Sequence, residues 1–311
     1  MAIFEIKGKG VCRIKPTEFA LEKELQNLIE QNLKTFFNCR FVASEFSTGN
    51  LHSGRIDTLA ISEDNNPVII EYKKVASSEL INQSLYYLHW ITDHKGDFQV
   101  AVNKAINEII EIDWSEVRVI CIAPEFKKYD LHAVQVMGSN IELWQYKLYE
   151  NGIISIDEVF RKSGAQNPSP DTDGKNPIMV IAGKKAALTR KTATYTFEEH
   201  ANRLNKDLVD LHNEIREYIV NLDNSIEETP KKNHISYKTS QNFVYLESQK
   251  RKMILFLKVN PDELENMPRQ ARDVRNIGHF GTGDLEFTIQ CTEDFEIAKP
   301  LIELSLKNIG G

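Results

Sequence analysis

The sequence predicts a layered α/β domain, a mixed sheet flanked by helices, followed by a second, smaller α+β domain. Three observations carry that prediction. Helical and strand patterns alternate through roughly the first half of the chain, as they do when helices cover the faces of a largely buried sheet. Two runs in that half, Val68-Ile69-Ile70 and Arg118 to Ala123 (RVICIA), are apolar without alternation, the mark of strands buried on both faces. Beyond them, residues 161–194 include SGAQNPSPDTDGKNP, rich in Ser, Pro, Gly, Asn and Asp, which reads as a linker. The expected domains are therefore 1–160 and 195–311.

The length of 311 residues leaves room for about two domains, each able to bury its own core. No stretch approaches the roughly 20 apolar residues of a membrane span, and the N-terminus lacks the apolar region of a signal peptide. Cys12, Cys39, Cys121 and Cys291 are scattered without CxxC spacing. They fit reduced thiols in a cytoplasmic protein and do not suggest a zinc site. The net charge of −7 works against a nucleic-acid partner in general, because phosphate binding is electrostatic. A local basic surface escapes that argument, and so does a metal site, which concentrates acids that the metal neutralises.

In chain order, IFEI and GVCRI suggest an edge hairpin turning at Lys7 to Gly10. Pro16-Thr17-Glu18 reads as a helix start with Thr17 as N-cap. That helix runs to about Lys34, with Leu21, Leu25, Leu28, Ile29 and Leu33 on its apolar stripe. Glu22 falls on the margin of the stripe, whereas Glu24 and Glu30 point well away. Residues 40–46 form the first central strand; its Glu45 is a reserve acid candidate.

Arg55 to Ser62 and Val68 to Lys74 follow as two strands joined by Glu63-Asp64-Asn65-Asn66-Pro67, a run of turn formers. Period-two alternation puts Asp57 with Leu59 and Ile61, and Ile69 with Glu71 and Lys73. If the strands pair across the turn, Asp57 lies opposite or diagonal to Glu71 and Lys73. These charges are either a solvated strand end, with Asp57 beside Arg55, or a chemical site. Charges on a buried strand are costly unless a partner or metal compensates them, which favours the site.

Arg55-Ile56-Asp57 followed by Val68-Ile69-Ile70-Glu71-Tyr72-Lys73 resembles the core of the PD-(D/E)XK nuclease superfamily in its RecB/NucS-like branch. The resemblance covers about residues 1–160 and implies a restriction-endonuclease-like sheet. It implies that Asp57 and Glu71 bind a divalent metal, Mg²⁺ or Mn²⁺, while Lys73 assists the attacking water. Glu22, as a helix acid angled at the sheet, takes the place of a further catalytic ligand, or is a solvated flank. Gln83 and Tyr87, one turn apart in INQSLYYLHW, match a Gln and Tyr that family members often carry on the following helix; packed beside the Glu-x-Lys strand they reach a substrate phosphate or hold the lysine, and otherwise they belong to an aromatic core. Arg55 either contacts a phosphate or pairs with a neighbouring acid. The implied partner is nucleic acid, DNA above RNA, and a homodimer is possible in such a family.

After the hairpin, Ser77 or Ser78 caps a helix to about His94, residues 98–112 are helical or mixed, and Arg118 to Ala123 form a parallel central strand. A helix over 125–137 and the strands Ile141 to Tyr149 and Ile153 to Val159 complete the domain. The basic segment GKKAALTRKT in the linker is either a mobile arm or a solvated connection.

In the second domain, residues 197–222 read as one charged helix, SYKTSQNFVYLE and KRKMILFLKV as two strands, and LEFTIQ as a third. A short helix follows Pro261, and a last helix starts near Phe295. This half resembles a small α+β domain of unknown function appended to PD-(D/E)XK-like proteins. The glycines around His279 lack the strand-to-helix context of a phosphate-binding loop. The function expected is metal-dependent phosphodiester hydrolysis. The alternative is a catalytically silent interaction module for nucleic acid or protein, which the acidic balance favours.

Overall fold

The computed structural model of the chain describes residues 2–49, 54–75, 79–107, 110–137, 141–161, 195–239, 241–277 and 283–309. The chain divides into two compact units, Met1–Ala193 and Thr194–Gly311. The expected linker lies outside the described residues apart from Arg161, as do Ser77, Ser78, Gly278, His279 and Gly281.

The first unit opens with a separate hairpin, β1 (Ile3–Lys7) and β2 (Gly10–Ile14), as the alternation of these segments anticipates. The expected helix start at Thr17 is corrected by the structure. Pro16–Thr17 form a short strand, β3, paired with Tyr149 and Leu148 on β8 (Ile141–Tyr149). The backbone of Thr17 is therefore engaged in the sheet, and helix α1 begins only at Glu22 and ends at Gln31. Glu24 starts it by turning its carboxylate back to accept the N–H groups of Ala20 and Leu21, an N-terminal cap supplied from inside the helix. A short helix, α2 (Leu33–Phe37), follows and ends at Asn38 in the left-handed conformation.

The sheet is mixed and has seven strands, ordered β3, β8, β7 (Arg118–Ala123), β6 (Pro67–Tyr72), β5 (Arg55–Ser62) and β4 (Cys39–Ser47), with β9 (Ile154–Arg161) also paired to β8. Strands β4, β5 and β6 are antiparallel, while β7 runs parallel to both β6 and β8. Helices α3 (Glu79–Asp93), α4 (Lys95–Ile106) and α5 (Lys128–Met137) complete the unit. Two apolar layers sandwich the sheet. One gathers Leu59, Ile69 and Val119 against α3 and α4; the other gathers Val68, Ile70, Tyr72 and Ile120 against α1 and α2. Val68, Ile69 and Ile70 are all fully buried, so β6 is covered on both faces as its unbroken apolar run predicts.

The second unit holds a six-stranded sheet ordered β10 (Glu227–Pro230), β11 (Ile235–Lys238), β12 (Asn242–Gln249), β13 (Lys252–Leu257), β15 (Leu285–Ile289) and β14 (Ala271–Asp273), with antiparallel pairing throughout. Two sequence expectations change here. The helix over 197–222 is two helices, α6 (Phe197–Ala201) and α7 (Lys206–Val220), interrupted where Asn205 donates its N–H to the carbonyl of Lys250. The segment 236–247 is two strands, β11 and β12, paired with each other across a turn around Gln241. Helices α7 and α8 (Thr292–Asn308) cover one face of this sheet with Leu211, Ile215, Phe295 and Ile302. Among the described residues, no helix is long and apolar enough to cross a membrane.

Candidate active site at the end of a central hairpin

The turn between β5 and β6 sets the site. Ser62 and Asn66 close it through their backbones, with Asn65 left-handed between them. The register that follows pairs Thr58 with Ile70. One step further, Asp57 faces Glu71 where the ladder ends. There the side chains take over the ladder's bonds. The N–H of Asp57 donates to Glu71 Oε1 at 3.0 Å, and the N–H of Tyr72 donates to Asp57 Oδ2 at 3.1 Å.

Glu71 is fully buried, and its Oε2 has no hydrogen-bond partner. Its carboxyl titrates well above the ordinary carboxylate range, first because of burial and then because Asp57 lies beside it. Burial also raises Asp57, with Glu22 and Glu45 adding to the effect; the Tyr72 N–H and the Lys73 charge oppose it. The fold thus works against the charged form of both acids.

Lys73 lies just past the strand, and its N–H donates to the carbonyl of Ile122. Its amine sits 3.5 Å from Glu22 Oε1, while Glu22 Oε2 accepts the N–H of Lys74 at 2.8 Å. Glu22 is accordingly joined to the lysine side of the site, whereas the resemblance implies an acid beside the carboxylate pair.

The sequence reading missed how helix α1 supports this arrangement. Glu22, Gln26 and Glu30 are spaced four apart and so share one helix face. Gln26 is buried and donates its amide to the carbonyl of Asp57 at 2.7 Å and to Ser44 and Glu30. Glu30 was expected to point away from the sheet. Instead it accepts the hydroxyl of Thr58 at 2.6 Å, and Thr58 lies 3.2 Å from the Tyr72 hydroxyl. The Glu-x3-Gln-x3-Glu spacing was the available signal: a polar row flanking an apolar stripe needs partners when the helix is packed on a sheet.

Arg55 is exposed and pairs with Glu45, which also accepts from Lys23 at 3.0 Å. Partial burial works to raise the Glu45 carboxyl, but Lys23 and Arg55 outweigh it and hold the group below its usual range. Gln83 and Tyr87 meet as expected, with the Gln83 amide donating to the Tyr87 hydroxyl at 3.1 Å. That hydroxyl also accepts the N–H of Arg55 at 3.1 Å, and Tyr87 is buried. Tyr87 therefore fixes the start of β5, with its hydroxyl engaged by Gln83 and by the Arg55 backbone. The ring packs so closely on Gly54 that a Cβ there would lie 2.8 Å from Tyr87 Cε1. Of the predicted residues, Asp57, Glu71, Lys73 and Glu22 are brought together, while Arg55, Gln83 and Tyr87 are joined to one another at the start of β5.

Among the described residues, no group of three or more His, Cys, Asp and Glu side chains is arranged to hold a metal ion. The pair Asp57 and Glu71 offers hard oxygen donors, one of them unpartnered and buried, of the type that a divalent cation takes.

Residues 197–298 match the family model described as "Domain of unknown function (DUF5655)". The chain is 29% identical over 315 residues to an uncharacterized protein of Haemophilus influenzae, with 99% of this chain and 100% of that protein covered. Among solved structures it is similar to an EndoMS–dsDNA2 complex (16% identity, TM-score 0.31), covering 47% of this chain and 64% of that one. It is also similar to EndoMS in apo form (15% identity, TM-score 0.29), covering 47% of this chain and 64% of that one. A third match is a repair endonuclease from Pyrococcus abyssi (15% identity, TM-score 0.24), covering 46% of this chain and 64% of that one. The matched region spans just under two thirds of each solved chain. Neither the identities nor the TM-scores are high enough for these likenesses to assign an activity.

Proposed function

We propose that the first unit hydrolyses phosphodiester bonds in nucleic acid, with DNA as the favoured polymer, using a divalent metal held by Asp57 and Glu71. The observation that carries this reading is the opposed pair itself: two carboxyl groups end a ladder, one buried oxygen has no partner, and a lysine stands next to them. A protein that needed these acids only for structure would pair that oxygen. When bound, Mg²⁺ or Mn²⁺ would supply Lewis acidity toward a phosphoryl oxygen and lower the pKa of a coordinated water.

The chain's own groups do the rest. Lys73 orients the attacking water and balances charge that builds on the phosphate, acting as a donor already held in place. Glu22 holds the Lys73 amine and the backbone beyond it, so the lysine is positioned before substrate arrives. Gln26 anchors the Asp57 backbone, and Tyr87 anchors the entry to β5 through the Arg55 N–H.

The test is cleavage of plasmid and of labelled single-stranded, forked and duplex DNA with Mg²⁺, Mn²⁺ or EDTA. Lys73→Ala and Glu71→Gln are each expected to slow cleavage by about 100-fold or more, roughly 3 kcal/mol of barrier. Cleavage that persists in EDTA or in both variants removes the proposal. A second reading, a catalytically silent interaction module, is favoured by the net charge of −7. It is distinguished by nucleic-acid binding without turnover and by calorimetry showing no Mn²⁺ binding that depends on Asp57.

A further inference from the structure

Glu45 interrupts the pleat of β4. Its φ is +52°, in the left-handed region that a side chain normally avoids. Its neighbours keep their pairing, Ser44 with Thr58 and Phe46 with Ile56, which leaves Glu45 level with Asp57 on the adjacent strand. In a regular strand, consecutive side chains point to opposite faces. Here Ser44 and Glu45 reach the same amine: Lys23 Nζ lies 3.3 Å from Ser44 Oγ and 3.0 Å from Glu45 Oε1. The left-handed residue is what makes that possible. Conformations of this cost persist where surrounding structure enforces them, and they concentrate at functional sites.

The turned carboxylate bridges two cations, Lys23 on α1 and Arg55 on β5. Both stay open to water, with side chains 46% and 68% exposed. Their position is specific. Lys23 follows Glu22, which holds Lys73, and Arg55 precedes Asp57 by two residues. The cation pair is therefore held on Glu45, which lies level with Asp57 on the strand next to it.

Building on the nuclease reading, we propose that Lys23 and Arg55 form a seat for a backbone phosphate of the nucleic acid, closed in the free protein by the Glu45 carboxylate, which the phosphate displaces. A carboxylate and a phosphodiester are alike as oxyanion acceptors for a guanidinium and an ammonium. Exposed ion pairs contribute little to stability, so exchanging one oxyanion for the other is close to balanced. A seat that must first shed its own carboxylate binds more weakly than an open one. Removing the Glu45 charge therefore strengthens binding.

The experiment uses the full-length chain in EDTA, where binding is read without cleavage. Fluorescence anisotropy follows labelled single-stranded and duplex DNA across a salt titration. Glu45→Gln, which keeps the side-chain length, is expected to tighten binding about threefold to tenfold on both. Lys23→Gln and Arg55→Gln are each expected to weaken it and to flatten the dependence of log K on log salt by about one phosphate contact. In the Lys23→Gln/Arg55→Gln background, Glu45→Gln is expected to have no further effect. Weaker or unchanged binding by Glu45→Gln overturns the seat, as does a complete absence of binding. If Glu45→Gln does not fold, the two cation variants decide alone, unchanged affinity being the overturning result. A protein that shows these shifts but cuts nothing keeps the seat and loses the nuclease reading. One that cuts through Lys73 while Glu45→Gln binds no tighter does the reverse.

Discussion

Two glutamates are fully buried in the seven-stranded sheet, Glu71 on β6 and Glu142 on β8, and they are held in opposite ways. Glu142 accepts a two-pronged contact from Arg118 at 2.8 and 3.0 Å, and the Trp144 indole N–H donates to it at 3.0 Å. Arg118, next to β8 on the parallel strand β7, is nearly as buried, and the proximity of Glu142 keeps it charged against the opposing effect of burial. Glu71 has one backbone donor, one orphaned oxygen and another acid as its neighbour. The same residue type in the same sheet is thus a closed structural pair in one place and an open acid in the other. Burial alone does not identify a site. An incompletely partnered acid buried beside a second acid is the feature that sets Glu71 apart.

The largest effect expected from breaking this contrast is on the closed side. Arg118→Met leaves Glu142 charged and unpaired in the interior, and urea unfolding should show a loss of about 3–5 kcal/mol. A variant as stable as the parent would mean that the two glutamates do not differ as the geometry says.

A buried base in the second unit extends the comparison to the opposite charge. His212 is fully buried, and burial together with nearby Arg216 pushes its pKa down from 6.5 to about 4. With the folded value depressed, the stability it contributes is fully present above pH 6.5 and drains away as the pH falls toward 4, because the unfolded chain takes the proton first. The loss should be of the order of 2–3 kcal/mol. Unfolding curves of His212→Leu should be flatter than the parent's over that window; equal slopes would refute the assignment.

The smallest effect belongs to the open acid. Glu71 titrates above its ordinary value of 4.5, so the stability linked to its proton is fully present below that value and is lost as the pH rises through the raised pKa. In metal-free buffer, Glu71→Gln should match the parent at low pH and be the more stable protein, by about 1 kcal/mol, at higher pH. A parent that stayed ahead of Glu71→Gln throughout would show that the carboxylate is satisfied within the fold.

Much of this was readable from local pattern. A five-residue run of turn formers between two strands brings Asp57 opposite or diagonal to Glu71 and Lys73, and the folded register chooses Glu71. The unbroken Val68-Ile69-Ile70 run likewise announces a strand covered on both faces. Errors arose where a local preference lost to a distant partner. Thr17 has the chemistry of a helix cap, yet its backbone is taken by Leu148. Glu30 lies off the apolar stripe, yet Thr58 reaches it from the sheet. The polar segment between Lys238 and Asn242 contains the turn that splits one expected strand into two, and β12 finds its other partner in β13.

Composition and periodicity were enough to establish a mixed sheet flanked by helices, a second α+β unit, and the hairpin that carries two acids and a lysine, because these depend on contacts within a few residues or on the burial of whole segments. Three other features needed the folded chain: Glu22 holding Lys73, Gln26 gripping the Asp57 carbonyl, and Glu45 turned left-handed between Lys23 and Arg55. Each joins residues more than twenty positions apart or departs from the regular strand. Such contacts arise from helix α1 packing on β5 and β6, and no periodicity in the sequence encodes how a helix is seated on a sheet.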